Sequence, residues 1–248
     1  MLFTKMGGVS WKSLNPISVW EFNETSGSTC IDATGFKNGT YSNVTLNQTG
    51  KLGTSALIAP SGKSVVTNDI NYSVGNLAGT ADSPFSINAI VKLTDKTLNS
   101  WIVNKRQQTG QGSFEYQLTL FAGVITFLIG DGITNATNSI RIETPVSSSG
   151  IQNNVFFHIC VTFDPTASPN NTRLSMYIDG IKQTVTYIGT GTYTCSKATT
   201  EDFTMCNFNS AALAFNLKGY VDQISVFRKC LNQSEVNYLY NGGDGRAY

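Results

Sequence analysis

Apolar residues in this chain recur at every second position, in short runs broken by Gly, Asn, Asp, Ser and Thr, which is the spacing of half-buried β-strands. In FSINAIVKL the residues Phe85, Ile87, Ala89, Val91 and Leu93 share one face, and in VFFHICVTF the residues Val155, Phe157, Ile159, Val161 and Phe163 do the same. Both predict central strands with their apolar rows in a core. The pattern predicts further strands near 17–22, 38–44, 55–58, 64–67, 100–105, 114–121, 124–129, 139–143, 173–179, 181–187, 211–215 and 219–227. So many short strands between turn residues predict an all-β, two-sheet antiparallel sandwich forming one domain over residues 17–248. Asp179-Gly180, between two alternating runs, predicts a two-residue hairpin turn. Residues 1–16, with Gly7, Gly8 and Pro16 and no alternation, predict an extended arm that either docks onto a partner or frays. The aperiodic segment 189–210 is longer than an ordinary connection, and connections of that length are often functional.

The stretch Lys218–Gly243, KGYVDQISVFRKCLNQSEVNYLYNGG, holds two elements. Strict alternation places Tyr220, Asp222, Ile224 and Val226 on one face and Val221, Gln223, Ser225 and Phe227 on the other. A carboxylate on the parity of Ile224 and Val226 is costly to bury alone, so Asp222 calls for a cation or hydrogen-bond donors. Asn232 followed by Glu235 is a capping-box pattern; Val236, Leu239 and Tyr240 then share a helical face, and Gly242 and Gly243 supply the stop.

That order of strand, inward Asp, capped helix and Tyr-Asn-Gly resembles the close of laminin-G-like (LamG), concanavalin A-like domains. Other segments match in sequence order. ISVWEFNETSGSTCIDATG (17–35) is similar to the family's opening strand, acidic turn and Asp loop, and FSINAIVKL (85–93) to its central strand. VFFHICVTFD (155–164) with LSMYIDGIK (174–182) resembles its aromatic-His strand and Tyr-x-Asp-Gly hairpin. The resemblance, over residues 17–243, implies a jelly-roll β-sandwich with one short C-terminal helix. It also implies a structural calcium held by Asp32, the Gly35 and Asn38 region and Asp222. Calcium takes six to eight oxygens, which two carboxylates, loop carbonyls and water supply. Lys37 stands where the family has glycine, so the open alternative is that Lys37 or backbone amides satisfy both carboxylates.

Composition narrows function. The 248 residues are 40% hydrophobic and 13% charged with net charge +1, which argues against a nucleic-acid partner. No apolar run is long enough to span a bilayer, and the N-terminus lacks the apolar core of a secretory signal. Five cysteines without CxxC spacing argue against a zinc site, while Cys195 and Cys206 bracket a polar loop that a disulfide would close. Sequons at Asn23, Asn38, Asn43, Asn47, Asn71, Asn135, Asn170 and Asn232 are read as chance matches in an Asn-, Ser- and Thr-rich chain.

His158 is the one histidine and sits mid-strand, where it reads as structural. Glu115 in FEYQLTL lacks the second acid that glycoside hydrolysis requires, so no catalytic residue is assigned. Trp101 and Tyr193 are the candidates for stacking on a sugar. The resulting expectation is a non-catalytic adhesion module on a virion surface, such as a phage decoration, fibre or tail-associated protein. It would be assembled in the host cytoplasm, anchored through residues 1–16, and directed at host glycans with the 189–210 segment at the contact. On this reading, deleting residues 1–16 leaves a folded domain that no longer joins its assembly. The alternative is a secreted or cell-surface carbohydrate-binding module; a degenerate glycanase is third.

Overall fold

The computed structural model describes residues 9–66, 70–106, 113–133, 137–208 and 216–248. The predicted strand at 211–215, the sequon at Asn135 and the first eight residues of the arm lie outside them.

The described residues form fifteen strands and two short α-helices. The strands are β1 (Pro16–Trp20), β2 (Thr29–Cys30), β3 (Gly39–Thr49), β4 (Thr54–Val66), β5 (Phe85–Leu93), β6 (Ser100–Arg106), β7 (Phe114–Phe121) and β8 (Val124–Gly130). They continue as β9 (Ser139–Pro145), β10 (Phe156–Phe163), β11 (Leu174–Ile178), β12 (Ile181–Lys182), β13 (Thr186–Thr190), β14 (Phe203–Met205) and β15 (Gly219–Phe227). The helices are α1 (Trp11–Leu14) and α2 (Gln233–Tyr240). Neither is long enough to cross a membrane.

One antiparallel sheet runs β12-β11-β10-β5-β15, and a second runs β14-β6-β7-β8-β9-β13. Strand β4 belongs to both: Ala56 and Leu57 pair with β15, while the backbone of 64–66 pairs with β14. The two predicted strands at 55–58 and 64–67 are therefore one bent strand that joins the sheets. The core fills the space between them. Phe85, Ile87, Ala89, Val91 and Leu93 from β5 and Phe157, Ile159, Val161 and Phe163 from β10 point into it, whereas Val155 precedes its strand and is exposed. The hairpin turn forms as predicted: Asp179 and Gly180 have φ of 48° and 74°, the left-handed pair that a two-residue turn requires.

Strict alternation fails in β15. Val221 lies opposite Val91 and Gln223 opposite Ile90, so Asp222 is an extra residue in a bulge. The bulge moves Val221 into the core beside Ile224 and Val226, and it puts Tyr220 on the outer face, where Lys92 Nζ stands 3.8 Å from its ring centre.

A smaller apolar cluster covers the outer face of the first sheet. Val236 and Leu239 of α2 pack there with Leu231, Phe227, Cys160, Tyr177 and Leu14. The capping box at Asn232 and Glu235 forms, and Asn241 in the left-handed conformation ends the helix one residue before the predicted glycines. Leu14 reverses the expectation of an extended arm through residue 16. Ser10 caps α1, Leu14 is 1% exposed, and Trp11 stacks on Phe227 at 6.2 Å between ring centres. Removing residues 1–16 thus takes out part of a core. We expect Leu14→Ala to destabilise the domain by about 2–4 kcal/mol in chemical denaturation; an unchanged midpoint would place Leu14 outside the cooperative unit.

Candidate functional site

The outward face of the second sheet carries the groove best suited to a ligand. Register sets Trp101 opposite Thr119, Thr119 opposite Thr126, and Thr126 opposite Glu143, one row across four strands. The adjoining row runs Asn104, Gln117, Leu128 and Arg141. Apart from Asn104, these rows line a depression of about 450 Å³ that also receives Phe121. Phe121 is 48% exposed and meets Trp101 edge-on at 5.9 Å, while Trp101 itself is only 6% exposed. Arg141 Nε and Glu143 Oε1 are 3.0 Å apart and partly solvated, and an Arg106 nitrogen donates to Gln117 Oε1 at 3.1 Å. Burial lowers the Arg106 pKa to about 10. An exposed ring beside a carboxylate, a guanidinium and an amide offers what a polyhydroxylated ligand needs: an apolar surface and planar groups that engage neighbouring hydroxyls.

Tyr193, the other stacking candidate, is elsewhere and buried. Its hydroxyl donates to Asp82 Oδ2 at 2.7 Å, and its pKa rises far above the usual range through burial and the nearby carboxylate. The segment around it is a strap across the sandwich rather than an open loop. Ser196 N–H donates to Asp82 Oδ1 at 2.7 Å, Lys197 N–H to the Asp131 carbonyl at 2.8 Å and Ala198 N–H to the Asn76 carbonyl at 2.9 Å. Burial raises the Asp82 pKa and outweighs the Ser196 amide and the Tyr193 hydroxyl that donate to it.

The strap is seated on a buried ion pair that sequence reading missed. Glu115 and Lys105 are both fully buried, with Lys105 Nζ 3.5 Å from Glu115 Oε1. Glu115 Oε1 also accepts from Thr199 N–H (2.8 Å), Thr199 Oγ1 (2.6 Å) and Ser73 Oγ (3.0 Å), and Oε2 accepts from Val74 N–H (3.2 Å). Lys105 Nζ donates to the carbonyls of Thr199 and Glu201. Burial pulls the Lys105 pKa down, and Glu115 opposes that shift. Glu115 thus serves the fold, and its carboxylate is turned away from the groove.

The residues expected to share calcium divide between two turns with separate hydrogen-bond partners. Asp32 Oδ1 accepts from Val19 N–H at 2.9 Å, Thr34 N–H at 3.0 Å and Thr34 Oγ1 at 2.8 Å, and Oδ2 accepts from Lys37 N–H at 2.9 Å. Asn38 Oδ1 accepts from Asp32 N–H, and Gly35 N–H returns to the Asp32 carbonyl. Asp32 bridges Trp20 on one edge of β1, while β15 with Asp222 pairs along the other. Asp222 Oδ2 accepts from the amides of Lys51 and Leu52, and a Cβ at Gly50 would stand 2.6 Å from that oxygen, so the turn needs glycine there. Oδ1 of Asp222 is buried without a partner among the described residues. No group of three or more His, Cys, Asp or Glu able to hold a metal occurs among the described residues. Both Asp32 oxygens and Asp222 Oδ2 face N–H donors, the arrangement of amide-bound carboxylates.

His158 is 3% exposed and its pKa falls to about 3 because burial disfavours the charged ring. Cys195 and Cys206 are not bridged to each other: Cys206 is fully buried, while Cys195 Sγ donates to the Gly79 carbonyl at 2.8 Å.

Two outcomes follow from these contacts. Glu115→Gln leaves the Lys105 charge uncompensated and should cost roughly 3–5 kcal/mol of stability; a loss below about 1 kcal/mol would show that the pair is not holding the strap. Asp222 has its pKa raised from 3.8 to about 6, chiefly by burial, with the two amides opposing. The folded state therefore takes up the proton first, so the Asp222 contribution is most favourable below about pH 4 and declines as pH rises through 6. Relative to Asp222→Asn, the wild type should gain up to about 3 kcal/mol between pH 7 and pH 4. The His158 term is common to both proteins and cancels, so parallel pH profiles would contradict this assignment.

Comparison with known proteins fits the geometry. The laminin G family described as the concanavalin A-like lectin/glucanases superfamily matches residues 62–237. No curated protein matches the sequence. Among solved structures, the botulinum neurotoxin serotype D ligand binding domain in complex with N-acetylneuraminic acid is similar at a TM-score of 0.64 and 17% identity, covering 94% of this chain and 52% of that one. A botulinum neurotoxin type C structure, whose cell entry depends on interaction with two ganglioside molecules, is similar at 0.62 and 16%, covering 94% and 53%. The binding domain of botulinum neurotoxin DC in complex with rat synaptotagmin II is similar at 0.61 and 15%, covering 91% and 51%. The chain spans about half the length of these structures, and at such identity the likeness is one of fold. With the match covering residues 62–237 of 248, the chain belongs to the concanavalin A-like lectin/glucanases superfamily.

Proposed function

We propose that this protein is a non-catalytic binding module that holds a glycan in the groove on the outward face of the second sheet. The carrying observation is the convergence of exposed Phe121 with Gln117, Arg141 and Glu143 on a rigid four-strand platform. Among the described residues Glu143 is the one carboxylate lining the groove, which supports a non-catalytic reading, since hydrolysis of a glycosidic bond takes two flanking acids. The structurally similar toxin domains, with their N-acetylneuraminic acid and ganglioside ligands, favour host-surface glycans as the class to test first. In the two turns, Asp32 and Asp222 act as locks on backbone amides rather than as calcium ligands. Excess chelator should then leave the melting temperature unchanged, and a clear drop would restore calcium.

Display in many copies on a virion surface, with host glycans as the counterpart, is the setting in which one shallow groove becomes useful, because later contacts form at high effective concentration. The strap around Tyr193 is not the contact in this reading, because Tyr193, Ser196, Ala198 and Thr199 are buried. Glycan-array binding should be lost in Phe121→Ala and Arg141→Ala while both variants melt like the wild type. Retained binding in both would remove the groove from the function. Immunodetection of the chain in gradient-purified particles tests the virion setting, and its absence there favours a secreted or cell-surface module.

A further inference from the structure

A second concave surface lies at the corner where β1 begins and β15 ends. It measures about 430 Å³, within the range of small-ligand sites, and its walls include Phe36, Asn71, Arg228 and Tyr248, with Asn15 just ahead of β1. Both rings are open to solvent, Phe36 at 48% and Tyr248 at 49% exposure. Each is also held from behind. Phe36 meets the buried ring of Tyr72 edge-on at 6.2 Å; Tyr248 meets Trp11 edge-on at 5.4 Å, and its N–H donates to Glu21 Oε1 at 2.7 Å. Rings left half in water on fixed supports offer apolar faces to the C–H groups of a ligand.

Arg228 sets the charge of the site. It is the one charged side chain lining it among the described residues, and it is exposed. Its terminal nitrogens donate to the backbone carbonyls of Asn71 and Ser73, which orient the guanidinium before any ligand arrives. Two of its five N–H donors are used in this way and three are left. Carbonyls are neutral and leave the charge uncompensated, and Arg228 forms no ion pair among the described residues. A planar carboxylate matches the geometry of such a fork and binds it more strongly than a neutral acceptor does. The exposed amide of Asn15 adds a donor and an acceptor suited to hydroxyls.

We propose that this surface is a second binding site, for an acidic pyranose whose carboxylate pairs with Arg228 and whose ring packs against Phe36 and Tyr248. The site shares no residue with the groove on the second sheet and does not rest on that assignment.

Methyl glucuronide, titrated into the ¹⁵N-labelled full chain, should shift the Arg228 Nε–H and Tyr248 amide signals saturably. Methyl glucoside, the same ring without the carboxylate, should bind about tenfold more weakly or worse, the worth of a charged hydrogen bond. Acetate, which carries the charge without the ring, should bind more weakly still. Arg228→Lys keeps the charge, loses the fork and should weaken glucuronide binding. Phe36→Ala, at a half-exposed ring, should weaken it too, in a protein that still unfolds cooperatively. Phe121→Ala should respond like the wild type, which separates this site from failure of the groove. Arg228 and Tyr248 signals unmoved by glucuronide would overturn the proposal. An equal response to the glucoside would remove the carboxylate from it, and an equal response to acetate would reduce the site to an adventitious ion contact.

Discussion

A carboxylate taken out of water must find donors, and Glu115 finds them in parts of the chain that are far apart in sequence. Its two oxygens gather Ser73, Val74 and Thr199, while its partner Lys105 takes the carbonyls of Thr199 and Glu201. One ion pair therefore ties β6 and β7 to the segment before β5 and to the strap before β14. The desolvation cost of two buried charges is offset only while that set is complete. This explains why a long aperiodic segment is held so closely, and it leaves the outward face of the same strands free to serve as a binding platform.

The same logic operates at the two turns. Asp32 draws its amides from Val19, Thr34 and Lys37, and Asp222 draws its amides from Lys51 and Leu52, so each carboxylate pins a connection against β1 or β15. The bulge at Asp222 makes that contact geometrically accessible, since an extra residue turns the side chain out of the regular pleat. Carboxylates in this fold thus organise connections, and the surfaces left over carry the polar groups suited to recognition.

Much of the fold was legible because period-two patterning depends only on the residues of each strand. The runs at 85–93, 114–121 and 219–227 coincide with β5, β7 and β15. Legibility stopped where a third segment decides the outcome. Parity across Asp222 depends on the Lys51–Leu52 amides, and two apparent strands fused into β4 because it pairs with both sheets. Trp101 was identified as a binding candidate and does border the groove, yet Phe121 and Arg141 were missed because only the register of β7, β8 and β9 shows which residues face outward together. Tyr193 differs for the opposite reason, since nothing in its own neighbourhood announces the Asp82 partner 111 positions away. For α1 a local signal was present: Ser10 ahead of Trp11 and Leu14, with Asn15-Pro16 as the stop.

The central claim, that the Glu115 ion pair makes the strap part of the global fold, is tested most directly by native-state hydrogen exchange at the Val74 and Thr199 amides. Both donate to Glu115, so both should exchange only on global unfolding, at the same free energy as the central amides of β7. Exchange of Thr199 through a local opening, with β7 still protected, would contradict the claim.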